Sequence, residues 1–198
     1  KNIIGSLILF TCCLNILRSQ PVEEWTNFIG ENDAYSVNNP FSINLSDIDD
    51  AGNSVIAGVN TNAGSYNVYT AQYDAGGNLL WMVNNNTGSW VPQGCNMKKA
   101  GKFVYLVYES NYSIITKKYN GNNGILVWTA QHNYLGRAFP VAVTIDKNEN
   151  VYSASCELTP TGTMDYSIIK YDKNGNQIVI AQYNGGGFDE PAGIAVDT

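Results

Sequence analysis

The sequence predicts an all-β protein built from repeated four-stranded units. Three observations support this: a turn-and-aromatic motif recurs along the chain, a second turn motif recurs between its copies, and the composition favours strands and tight turns. The first motif is Tyr73-Asp74-Ala75-Gly76-Gly77-Asn78-Leu79-Leu80-Trp81. It returns as Tyr119–Trp128 and as Tyr171–Val179, with the tyrosines 46 and 52 residues apart. The second motif begins at Asp50, Lys99 and Asp146, and Asp197 opens a further copy. Self-similarity at a period of roughly 40–50 residues marks a repeat architecture.

Each unit holds two turn motifs flanked by apolar runs, which reads as four strands. In the third unit these are Ala138–Ile145, Asn150–Cys156, Asp165–Tyr171 and Gln177–Tyr183. Gly and Asn in the turns supply the positive φ of tight hairpins, and an Asp at the turn start bonds amides ahead of it. Thirteen Tyr, 19 Gly and only 14% charged residues fit strands joined by polar turns. Four strands per repeat of this length is the arithmetic of a β-propeller blade, whose faces are buried by its neighbours. The expected fold is therefore a β-propeller of four-stranded antiparallel blades. About three blades are present, with an N-terminal strand near Trp25–Ile29 and one strand of a partial fourth blade ending at Thr198. Large residues such as Trp81, Trp128, Tyr73, Tyr119 and Tyr171 are expected between blades.

The first 19 residues differ from the rest. Lys1 precedes an apolar stretch from Ile3 to Leu17, then Arg18, Ser19 and Gln20. A short apolar core between a cation and a small residue reads as a secretory signal peptide. Residues 1–19 are thus expected to be removed, leaving a repeat domain over 20–198 that is secreted or held at the cell surface. Cys12 and Cys13 leave with the leader. Cys95 and Cys156 fall on different units and are expected to be buried free thiols. No apolar run reaches the roughly 18 residues of a spanning helix. A net charge of −6 disfavours nucleic acid as a partner, since phosphate contact needs a basic surface.

The segments Asp165–Gly175 and Tyr183–Asp197 resemble the bacterial β-propeller repeat known as SBBP. The resemblance covers about residues 24–198. Lys99 stands in place of the anchor Asp, Val179 in place of the blade Trp, and residues 31–49 fit poorly. The resemblance implies an exported bacterial protein, often from Bacteroidetes-like organisms with C-terminal sorting domains. It implies no shared catalytic residue.

No sequence motif marks a catalytic or cofactor site, and none is expected. His132 is the single histidine and is expected to pack or face solvent. Asp47, Asp49 and Asp50 with Asn53 form the densest oxygen cluster, a weak calcium candidate without the distal Glu of an EF-hand loop. Propellers present ligands on loops that enter and leave blades. Those loops are expected at Asn84–Trp90, Asn133–Arg137 and Asn184–Glu190. Counting back nine residues from the anchors gives Phe41, Trp90, Arg137 and Phe188 as a candidate ligand-binding ring, with Asn84, Asn85, Asn86, Asn133 and Asn184 beside it. The expected function is a noncatalytic scaffold that binds a glycan or a protein. The alternative is the propeller portion of an extracellular hydrolase whose catalytic residues lie beyond Thr198. N-terminal sequencing of protein from medium or cell surface should start near Gln20; Lys1 retained on a cytoplasmic protein would overturn the leader assignment.

Overall fold

The computed structural model describes residues 46–62, 65–89, 91–92 and 94–197. The expected leader, the Trp25–Ile29 strand, Phe41, Trp90 and Thr198 lie outside the described residues. The described residues form three antiparallel four-stranded sheets and no helix. The first sheet contains β1 (Ser46–Ile48), β2 (Ser54–Asn62), β3 (Ser65–Tyr73) and β4 (Leu79–Gly88). The second contains β5 (Cys95–Ala100), β6 (Phe103–Ser110), β7 (Ser113–Asn120) and β8 (Leu126–Asn133). The third contains β9 (Ala138–Ile145), β10 (Val151–Leu158), β11 (Met164–Tyr171) and β12 (Gln177–Tyr183). Strand order follows chain order in every sheet, so each is a simple meander. The four strands expected in the third unit all form, with ends moved by at most two residues.

The hairpins are set by one device. Asp49, Asp74, Asp146 and Asp172 each accept the backbone N–H groups two and four residues ahead on Oδ1. The Asn four residues on donates its side-chain amide to the same carboxylate. Such bonds hold the Asp74 and Asp172 carboxyls below their usual range, through the Asn amide first and the backbone next. The first unit's anchor is therefore Asp49 rather than Asp50, a one-residue correction. Lys99, in the anchor position of the second unit, reaches back to that turn: its ammonium lies 3.3 Å from Asp49.

Adjacent sheets pack face to face. The first seam contains Val55, Ala57, Val59, Val68 and Trp81 of the first sheet against Cys95, Met97, Val104, Leu106, Tyr108 and Tyr119 of the second. The second seam joins Tyr105, Val107 and Ile114 to Ala138, Val143, Val151, Ile169 and Tyr171. β6, lying between both seams, is buried on both faces from Val104 to Glu109. That is why it reads as a continuous apolar run rather than an alternation. The first strands of successive sheets also adjoin: β1 meets β5, and β5 meets β9.

Each seam is latched by a tryptophan on the fourth strand. Trp81 Nε1 donates to the Gly121 carbonyl at 2.7 Å, and Trp128 Nε1 donates to the Lys173 carbonyl at 3.0 Å. The rings rest on Gly124 (φ +70°) and Gly175 (φ +87°), where an added Cβ would lie 2.8 Å from the indole. Val179 holds the matching place in the third sheet and is 47% exposed.

Among the described residues, the expected start of a fourth unit forms no strand. After Tyr183, Phe188 forms a parallel bridge with Met164, and the Asp189 N–H donates to the Met164 carbonyl. A first strand in the other sheets pairs only with the second strand of its own sheet, and the described residues supply none for this one. Trp81→Ala should cost about 3–5 kcal/mol in urea unfolding, as truncation of a buried aromatic does. Val179→Ala should cost much less, and equal losses would show that the indole latch is not what holds the seams.

Candidate functional site

A meander places its turns alternately at two ends of the sheets. The Asp-anchored turns occupy one end. The β2–β3, β6–β7 and β10–β11 connections, with the sheet-to-sheet links, occupy the other. At this second end, over the second seam, lies a cleft of about 300 Å³. Its walls include His132, Tyr134, Leu135, Glu157, Asp165 and Gln182.

Each element places its residue for a local reason. Glu157 and Asp165 stand directly opposite each other on β10 and β11, either side of the 159–163 turn. That turn is tied by Thr159, whose hydroxyl accepts the Thr163 N–H and meets the Thr161 and Thr163 hydroxyls. Gln182 of β12 donates to Glu157 Oε1 at 2.5 Å. Asp165 Oδ1 is buried with no hydrogen-bond partner. Burial raises the Glu157 carboxyl; the Gln182 bond opposes this, and the Asp165 charge adds to it.

The opposite wall comes from β8 and the link to β9. His132 Nδ1 lies 3.1 Å from Gln177 Oε1, and its ring meets Tyr134 edge to face at 4.6 Å. The Tyr134 hydroxyl reaches Ser155 and Ser167 across the seam. Leu135 at the lip is 93% exposed. Two further concavities, of about 460 and 210 Å³, lie at the opposite end among the β9–β10, β11–β12 and β5–β6 turns. Nearby, Lys118 is buried against Glu149 at 2.6 Å and over the Phe103 ring at 3.8 Å.

Of the expected ring, Arg137 and Phe188 are described. Phe188 is 73% exposed beside β11. Arg137 lies in the link entering the third sheet, 3.5 Å from the buried Glu109 carboxylate and over the Phe139 ring. Asp47 faces Lys98 at 3.0 Å and accepts the Lys99 N–H, Asp49 caps its turn, and Asp50 is exposed. The stretch Asn84–Gly88 is strand, not loop. Asn85 is buried there, donating to the Val68 carbonyl and accepting from Lys117 and Tyr119. Asn133 accepts from Ser113 and Gln131, and Asn184 caps its own turn. Cys95 and Cys156 are buried and free, as expected, with thiols pushed up by burial to about 12. Among the described residues, no helix is long and apolar enough to cross a membrane.

Sequence reasoning placed the cleft's β8–β9 link among the entry loops but missed Glu157 and Asp165. The signal was present: two carboxylates flank a Thr/Pro/Gly turn, and hairpin pairing counted outward from that turn sets them opposite each other.

No protein-family model matches the sequence, and no curated protein matches it. Twenty solved chains match in structure. One is a crystal structure of the eukaryotic initiation factor, with a TM-score of 0.47 and 12% identity over 76% of this chain and 34% of that one. The chain thus spans about a third of that protein's length.

The folded state holds the Glu157 proton more tightly than the unfolded chain. Its contribution is therefore present below the ordinary value of 4.5 and lost as pH rises through the raised folded value. Between about pH 4 and pH 7, the melting temperature of the native protein should fall relative to Glu157→Gln. A difference that stays constant across this window would place Glu157 in an unperturbed environment.

Proposed function

We propose that this chain forms blades of a β-propeller type that act as a noncatalytic binding scaffold, secreted or cell-surface, whose ligand seats on the loop end of the sheets. The cleft over the second seam carries this reading. It combines a concave shape of about 300 Å³ with a few convergent polar groups and an exposed apolar lip, the composition of a recognition site. It also lies where strands are joined by links free to vary while the sheets stay fixed.

Three further features support the propeller arrangement. The sheets repeat as meanders, their first strands adjoin in order, and the Trp latch recurs from seam to seam. First strands that neighbour one another are what blades around a common axis require. The resemblance to SBBP repeats and the apolar leader support export. The acidic balance supports a glycan or protein partner over nucleic acid.

Glycan and peptide arrays probed with the full chain test the scaffold. Leu135→Lys should abolish the array signal while shifting stability by no more than about 0.5 kcal/mol, as surface changes do. Unchanged binding by that variant would remove the cleft as the ligand seat.

A further inference from the structure

We infer that the cleft over the second seam binds an organic cation, the arginine or lysine side chain of a protein partner, between the facing carboxylates of Glu157 and Asp165. The inference rests on the scaffold reading and narrows its ligand to one chemical class.

Two carboxylates directly opposite each other on neighbouring strands repel, and such a pair lowers the stability of a sheet. Here the pair is held in place with one neutral donor, Gln182. Asp165 Oδ1 is buried and unbonded at the cleft wall. Among the described residues, no Lys or Arg lines the cleft. Arg137, next to Gly136 of the lining, is turned to Glu109 and to the Phe139 ring. A guanidinium presents a planar fork of donors that matches carboxylate oxygens, and an ammonium presents three. Both sit on an aliphatic stem that gains from apolar contact. Leu135, 93% exposed, and Pro160 provide that contact at the cleft.

Two other ligand classes fit less well. Calcium takes about six to eight oxygens, and no group of three or more His, Cys, Asp or Glu among the described residues is placed to hold a metal. A sugar stacks on an open aromatic face. The His132 and Tyr134 rings here meet each other edge to face, and the Tyr134 hydroxyl is engaged by Ser155 and Ser167.

The titratable groups around the cleft are His132 on β8, Tyr134 on the link, Glu157 on β10 and Asp165 on β11; β12 adds neutral Gln182. Burial and the Asp165 charge raise the Glu157 carboxyl. A cation between the two carboxylates reverses that effect. Binding then releases a proton and strengthens as pH rises.

The test is an NMR titration of the full chain, following the Leu135 methyls and the Gly136 amide. The probes are acetyl-Gly-Arg-Gly-amide, its lysine counterpart, the neutral citrulline analogue, a set of methyl glycosides and calcium chloride. The arginine and lysine peptides should give saturable shifts, with the citrulline peptide at least about tenfold weaker, a difference of about 1.4 kcal/mol. Glu157→Gln and Asp165→Asn should each weaken arginine binding by a similar factor. Affinity should rise between about pH 5 and pH 7. The citrulline comparison uses the native protein, so it stands even if a variant folds poorly. Equal binding of citrulline, calcium as the ligand that shifts these signals, or no saturable shift with either basic peptide would overturn the inference. Methyl glycosides shifting the same signals would overturn it while leaving the scaffold reading intact. Silence of every probe at these signals would remove both.

Discussion

The seam between one sheet and the next depends on an indole seated on a glycine. A four-stranded meander has two faces and cannot bury both by itself. The Trp ring of the outermost strand covers the turn of the following sheet, and its N–H finds a backbone carbonyl there. The contact leaves no room for a Cβ at Gly124 or Gly175, and both sit at positive φ. Each Trp–Gly pair therefore ties a turn of one sheet to the fourth strand of its neighbour. β6 is buried on both faces because it lies between two latched seams, and Tyr171 packs against Trp128 as part of the same contact.

The seams are not purely apolar. Across the second one, Tyr134 bridges Ser155 and Ser167, and Lys118 lies buried beside Glu149 and the Phe103 ring. Most buried polar groups in folded proteins are partnered. The mixture changes character toward the loop end, where Glu157 and Asp165 face each other with little compensation. The same sheet-to-sheet distance that buries the core opens the cleft once the strands end and the links take over.

Much of the fold was legible in the chain. Tight turns depend on short-range chemistry, so Asp172-Lys173-Asn174-Gly175-Asn176 announces its hairpin without reference to the rest of the molecule. The strand assignments of the third unit came from the same source. The register of the first unit was less legible, because Asp49 and Asp50 are adjacent and only the hydrogen bonds distinguish them. The run Asn84–Asn86 looked like a loop by composition. It is strand because β3 supplies a ladder for it, and Asn85 donates to the Val68 carbonyl on β3 while accepting from Tyr119 across the seam.

The sequence by itself determined the repeat, the meander in each unit, the turn chemistry and the burial of the two thiols. These follow from residues near one another in the chain or from periodic recurrence. Only the tertiary structure decided which groups meet between sheets. Lys99 finds Asp49, Arg137 finds Glu109, and the cleft forms between the β8–β9 link and the carboxylates of β10 and β11. The physical reason is that a seam is set by the rotation and spacing of whole sheets. Those quantities come from the summed packing of many side chains, and no local motif encodes them.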